Sequence, residues 1–295
     1  MVVLLLPVCG MTLDEYIRDP APAPSLSASI AHKLLTRSAR HAWLGHPRLN
    51  PTWLPDEPTP ESDLGTAIHA MLLEDNHSRI SVIEAPDWRK RDAQLARDDA
   101  RACGLVPLLV HRYQEARVVV EAAKRAITNA PEIKKAFDGG LIERTMMWDE
   151  DGYWSRCRPD LVTADYRLAI DLKTTSGSAE PEAWTRGQLL MMGYDVQGAF
   201  GLRALRALHK PRDCSFVFMV VETEPPYAVS FIGLSPEFEA FAESKRASAF
   251  ERWKFCMSTD TWPSYPSRIA WAEPPPWAVT RWDEKRLVGG GVEDL

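Results

Sequence analysis

The chain has 295 residues, 35 Lys and Arg against 41 Asp and Glu, a net charge of −6 and a hydrophobic fraction of 45%. Such a composition supports a sizeable core, and its charge excludes a surface that coats nucleic acid indiscriminately, so any phosphate contact must come from local patches. The five cysteines are scattered without zinc or iron–sulfur spacing, and no run approaches the ~20 apolar residues of a membrane-crossing helix.

Residues 2–6 are apolar but lack a basic flank and a small-residue cleavage site. They read as a surface strand or a ragged start, with a signal peptide as the alternative. An odd cysteine count without a leader points to a reduced, intracellular setting. Residues 19–24, D-P-A-P-A-P, read as extended, and 1–24 is set apart as a lead-in. The serines at 25–29 offer caps for a helix predicted over 29–43. On one helix, Lys33, Arg37 and Arg40 fall at i, i+4 and i+7 and make a basic stripe. That stripe is either a solvated face or a grip on phosphates. The proline-rich stretch 47–60 is a loop. A second helix is expected from a cap at Ser62 or Asp63 to Glu74, with Leu64, Ile68, Met71 and Leu72 in the core and Gly65 and His69 on another face. Residues 87–130 read as highly charged helix broken at 104–107, with their charges paired across a surface. Pro131 opens a short helix that Gly139 and Gly140 end.

Strands follow. The spacing predicts a hairpin of 141–148 and 153–162 about the turn D-E-D-G, and a third strand over 167–173. Strand periodicity puts Asp171 and Lys173 on one face and Leu168, Ile170 and Leu172 on the other. A chain reversal at 164–165 would set Asp160 beside Asp171. Two close carboxylates stay ionised together only with a cation between them, which is the geometry of a divalent-metal site with oxygen ligands. His69 and Glu143 are the further candidates, Glu143 either as a ligand or as support for one. Phosphodiester hydrolysis suits such a site, because a metal lowers the pKa of bound water and neutralises phosphate charge. Lys173 would orient or deprotonate that water, or stabilise the transition state. A helix predicted over 182–209 places Leu190, Tyr194, Gln197 and Gly201 on one face. Its glycines 193, 198 and 201 are costly unless it packs very closely. Tyr194 and Gln197 then reach the water, Lys173 or a phosphate, or are a buried tyrosine and a satisfied glutamine. Strands at 214–222 and 227–234 and a helix over 236–257 complete the core. The Pro- and Gly-rich tail is expected to pack by its tryptophans to Trp282 and to fray over 283–295.

Pro159-Asp160, ten residues, then Asp171-Leu172-Lys173 resembles the PD-(D/E)XK nuclease signature. L-S-A-S at 26–29, the helix with Gly65 and His69, C-R-P-D at 157–160, D-L-K-T-T at 171–175 and G-Y-D-V-Q-G-A-F at 193–200 are together similar to the exodeoxyribonuclease VIII, or RecE-type, branch found in phages and prophages. The resemblance spans about 12–265. It implies a restriction-endonuclease-like α/β core, a central mixed sheet flanked by helices, behind a helical N-terminal part. The expected nuclease domain is 25–282, helical over 25–140 and catalytic over 141–257. By the same resemblance His69, Asp160 and Asp171 bind metal, Lys173 is catalytic, Tyr194 and Gln197 are the motif helix, and Glu143 is the acidic residue before the hairpin. The implied activity is Mg²⁺-dependent digestion of double-stranded DNA from its ends, 5′→3′, in recombination or repair. Mn²⁺ would substitute readily, since imidazole is a softer ligand. A single-strand annealing partner, a toroidal homo-oligomer and a bacterial cytoplasmic setting follow by analogy. A structure- or site-specific endonuclease and an idle DNA-binding protein are the competing readings. Gly201 stands where relatives often carry tyrosine.

Overall fold

The computed structural model describes residues 2–8, 10–209 and 213–288. Contacts group it into two units, Met1–Pro263 and Ser264–Leu295. No helix among the described residues is long and apolar enough to cross a membrane.

The first unit opens with β1 (Val2–Val8), a strand where the apolar run suggested one, and α1 (Leu13–Ile17), which a Thr12–Glu15 capping box starts. Cys9 lies outside the described residues. The expected helix over 29–43 is three pieces: β2 (Ser25–Ser27), α2 (Ala28–Thr36) and α3 (Ala39–Leu44). Ser27 caps α2 and Ser38 caps α3, so a second cap inside the apolar-periodic run breaks it. Lys33 and Arg40 therefore sit on different helices, and the single basic stripe does not form. Next come α4 (Pro60–Leu73), β3 (Ile80–Ile83), α5 (Arg91–Ala102), β4 (Val106–Leu109), α6 (Val110–Asn129) and α7 (Pro131–Phe137). Thr59, not Ser62 or Asp63, caps α4, and Ser62 returns the bond from the third helical position. The two-stranded parallel pair β3–β4 occupies ground expected to be helix or loop.

The long hairpin splits between two sheets. Its first arm is β5 (Leu141–Ile142) and β6 (Thr145–Glu150); its return arm is β7 (Tyr153–Cys157) and β8 (Leu161–Val162). The tip pairs β6 with β7 through a turn in which Asp151 and Gly152 both take positive φ, 54° and 83°. The base pairs β5 with β8. Then follow β9 (Leu168–Thr175), α8 (Pro181–Trp184), α9 (Tyr194–His209), β10 (Ser215–Glu222), β11 (Val229–Gly233) and α10 (Pro236–Thr259). The tip joins a four-stranded sheet, β1-β6-β7-β2, and the base a five-stranded mixed sheet, β11-β10-β9-β8-β5.

The five-stranded sheet is buried on both faces. Phe216, Phe218 and Val220 of β10 face one core with α2, α9 and α10, while Met219 and Val221 face the other with α4, α6 and α7. On β9, Ile170 and Leu172 join the second core, so Asp171 and Lys173 project toward α9, as the two-residue period requires. The expected helix over 182–209 is also broken. A π-turn at Thr185–Leu189 follows α8, and Gly193 at φ 73° separates it from α9, so Leu190 does not share the Tyr194–Gln197–Gly201 face. A Cβ on Gly193 would lie 2.3 Å from the His32 ring, and one on Gly201 2.3 Å from the Phe216 ring. The glycines thus let the chain approach as closely as their presence suggested.

In the second unit α11 (Pro276–Val288) continues past the point where fraying was expected, and its Trp277 and Trp282 are exposed. Residues 289–295 lie outside the described residues.

Candidate active site

The site forms where the hairpin forks. Strand β8 pairs only with residues 169 and 170 of β9, so the C-terminal half of β9 has a free edge. Asp160, just before β8, satisfies that edge: its Oδ2 accepts from the Leu172 amide at 2.7 Å. On the first arm Glu143 adopts φ 50°, a left-handed conformation unusual for a non-glycine residue, and its amide donates to the Asp160 carbonyl at 2.8 Å. The crossing from one sheet to the other therefore aims Glu143 and Asp160 at the same place.

His69, from α4, arrives from the opposite side of the sheet. Its Nε2 lies 3.0 Å from Asp160 Oδ1, and its Nδ1 lies 3.8 Å from Glu143 and 3.9 Å from Glu74. Burial pushes the imidazole pKa down, but the Asp160 hydrogen bond and the surrounding carboxylates outweigh it and the net shift is upward. Gly65, one turn earlier on α4, would put a Cβ 3.2 Å from Thr174 Oγ1, so the helix sits tight against β9.

Asp171 is 2% exposed. Its Oδ1 accepts from Gln197 Nε2 at 2.8 Å, and its Oδ2 meets the Lys173 ammonium as an ion pair. Burial first, and the Asp160 charge second, raise its pKa to about 6 against the opposing pull of Lys173. Burial lowers the Lys173 pKa, yet the charges of Asp171 and Asp160 more than offset this, so Lys173 is held as an ammonium. That ammonium lies 4.5 Å over the Tyr194 ring.

Six of the expected residues therefore meet: His69, Glu143, Asp160, Asp171, Lys173 and Gln197, with Tyr194 under the lysine. The four proposed ligands do not form one cluster. His69, Glu74 and Glu143 offer atoms within 4.8 Å of one another, whereas Asp171 turns to Lys173 and Gln197. Glu74 is the residue the sequence reading missed. It caps the C-terminus of α4 five positions after His69, and that spacing was the available signal. Both glutamates already carry arginine partners, Glu74 with Arg79 at 2.7 Å and Glu143 with Arg158 at 2.5 Å. Asp171 and Asp160 carry partners too, Asp171 with Lys173 and Asp160 with His69, but together they place buried and partly buried carboxylate oxygens of the hard type that suits a divalent ion.

A cavity of about 780 Å³ adjoins the site. Lys33, Arg37, Arg158, Tyr194 and Gln197 are among its walls. Neither Lys33 nor Arg37 has an acidic partner among the described residues. Arg156 and Arg158 line it with buried Nε atoms that lack hydrogen-bond partners, as does His32 with its Nδ1. Arg40 is not part of this wall and stacks over Trp43, 4.3 Å from the ring centroid.

The model of a family described as a PDDEXK-like domain of unknown function (DUF3799) matches residues 31–273. A solved structure of a protein from Eubacterium rectale, provisionally named an exonuclease, is 13% identical and superposes with a TM-score of 0.62 over 92% of this chain and 99% of its own. The structure of SSO0001, 13% identical over 69% of this chain and 98% of its own, has a TM-score of 0.27 and carries no argument. No curated protein matches. The sheets flanked by helices and the first of these likenesses agree on the restriction-endonuclease-like α/β fold expected from the motif.

Proposed function

The chain belongs to the PDDEXK-like family, and from that premise we propose that it is a Mg²⁺-dependent exonuclease of linear double-stranded DNA, of the exodeoxyribonuclease VIII type. The observation that carries the reading is the meeting of Asp160, Asp171 and Lys173 at the free edge of β9, with His69 at hydrogen-bond distance from Asp160. Asp160, Asp171 and His69 are the residues that would hold the cation, with Glu143 and Glu74 behind His69. A bound divalent ion would supply Lewis-acid stabilisation of phosphate charge and a more acidic water.

The chain's own groups do the rest. Gln197 fixes one oxygen of Asp171; the other, now paired with Lys173, is the one that would turn to the ion. Lys173, held protonated, suits electrostatic stabilisation of the phosphate rather than removal of a proton from water. Lys33 and Arg37 give the cavity a wall for backbone phosphates. A space of this size has room for roughly one or two nucleotides beside the metal ligands. Tyr194 sits at the junction of cavity and metal site.

The test uses linear duplex and covalently closed circles, with and without Mg²⁺ or Mn²⁺. The expected result is metal-dependent loss of linear DNA with circles intact, slowed at least about 100-fold in Asp171→Ala and Lys173→Ala. Linear DNA that survives, or variants that digest as fast as the parent, would refute the reading; nicked or linearised circles would favour the endonuclease alternative. Early release of a 5′-terminal label would support the 5′→3′ polarity. That polarity, a role in phage-type recombination, a ring-shaped oligomer and an annealing partner rest on the resemblance alone.

A further inference from the structure

Lys173 is one member of a closed circuit of contacts that leaves β9 and returns to it. Its ammonium lies over the Tyr194 ring. The other ring in contact with Tyr194 at near-parallel geometry is Trp184, with centroids 5.7 Å apart and planes inclined by 14°. Trp184 is 1% exposed and also touches Phe218, the β10 residue in register with Asp171. Its indole N–H donates to Gln188 Oε1 at 3.1 Å. Gln188 in turn donates through Nε2 to Thr175 Oγ1 at 2.8 Å, and Thr175 lies two residues beyond Lys173 on the same face of β9. The π-turn at Thr185–Leu189 is the distortion that carries Gln188.

We propose that Trp184 is a positioning residue for Lys173, acting through Tyr194, and that Gln188 is the latch that fixes the indole against Thr175. A lysine side chain has four rotatable bonds and no planar group to register it. An aromatic face attracts the ammonium but fixes its place only if the ring itself cannot slide. Tyr194 begins α9 directly after the positive-φ Gly193, where a helix end is otherwise loose. The Trp184 stack supplies the missing restraint, and the two hydrogen bonds tie Trp184 to the strand that bears the lysine. The lysine and the platform under it then share one frame of reference. This proposal rests on the nuclease reading for its kinetic arm and is independent of it for its spectroscopic arm.

The kinetic arm compares Trp184→Leu, Trp184→Phe and Gln188→Met. Misplacing a reacting group by about 1 Å costs up to ~100-fold in rate, so Trp184→Leu is expected to lower kcat at least about tenfold with KM within about twofold. Trp184→Phe, which keeps a stacking ring, should recover most of that loss. In a Lys173→Ala background the Trp184→Leu change should have no further effect, because it acts through the missing group. The spectroscopic arm follows the ¹³Cε–¹Hε signal of Lys173, assigned by its loss in Lys173→Arg. The expected signal is shifted upfield by the Tyr194 ring, loses that shift in Tyr194→Leu, and broadens or moves in Gln188→Met. Should Trp184→Leu fail to fold, Gln188→Met decides alone, since it keeps the buried indole. An unmoved Lys173 signal in Gln188→Met would overturn the proposal even if the protein proves to be no nuclease. Fully additive rate losses in the Lys173→Ala background would overturn it as well.

Discussion

His46 gives the sharpest physical test of this fold. Its side chain is fully buried between the N-terminal segment and the four-stranded sheet. Nδ1 accepts from the Arg48 amide at 3.2 Å and Nε2 faces the Ser25 carbonyl at 3.1 Å, a pattern that only the neutral ring protonated on Nε2 satisfies. A second proton would sit on Nδ1 and break the Arg48 bond. Asp19 lies 3.4 Å from Nε2, but Arg156 already neutralises it at 3.1 Å. Burial, opposed by Asp19, lowers the His46 pKa to about 4. The unfolded chain takes up this proton near pH 6.5, before the fold does, so stability is full above that pH and drains as pH falls toward 4. Between pH 7 and pH 5 the linkage costs about 2 kcal/mol. Urea unfolding followed by tryptophan fluorescence measures it, since the His46 ring lies 5.3 Å from Trp253. The His46→Gln variant, which keeps a donor for Ser25 but cannot take a proton, should lose about 2 kcal/mol less than the parent over that interval. Parallel curves for the two proteins would show that His46 is not held neutral by these contacts.

Other consequences are as definite. Asp171→Asn keeps the Gln197 hydrogen bond and the shape of the site while removing a charge that burial disfavours; its unfolding midpoint should change little while nuclease rate falls at least about 100-fold. Gly201→Ala gains up to about 1 kcal/mol of helix propensity but drives a methyl into the Phe216 ring, an overpacking cost of about 1–3 kcal/mol, so thermal melting should show net destabilisation where Gly139→Ala, in open space, shows none. Lys33→Ala and Arg37→Ala should each weaken DNA binding and lower the salt slope by about one phosphate contact, with Arg40→Ala neutral, as measured by anisotropy titration of a fluorescein-labelled duplex at several salt concentrations.

What the sequence disclosed depended on whether a signal was local. Alternation along β9 separated Asp171 and Lys173 from Ile170 and Leu172 because a strand has one period and two faces. The glycines before and within α9 disclosed close packing because a missing side chain has few other uses in a helix. The breaks at Ser38 and Gly193 were less visible, since both interrupt runs whose apolar spacing continues across them. The fork of the hairpin was hidden for a different reason. Glu143-Arg144 and Arg158-Pro159-Asp160 resemble ordinary strand polar residues, and only the pairing of β5 with β8 and β6 with β7 shows that they cross between sheets. Glu74 went unseen because a charged residue at a helix end has a sufficient local explanation.

The bond from the Leu172 amide to Asp160 has an outcome for heredity as well as for chemistry. One carboxylate both closes the ladder at the edge of β9 and stands ready for the cation, so a substitution such as Asp160→Ala strips an acceptor from a backbone donor, at about 1–3 kcal/mol, together with a ligand. Asp171 holds no backbone group in the same way. In a saturation library sorted separately for cellular abundance and for activity, variants at 171 should collect as plentiful and inert, while most at 160 should vanish from both pools. Lineages that shed the activity while keeping the fold are then expected to have lost Asp171 first.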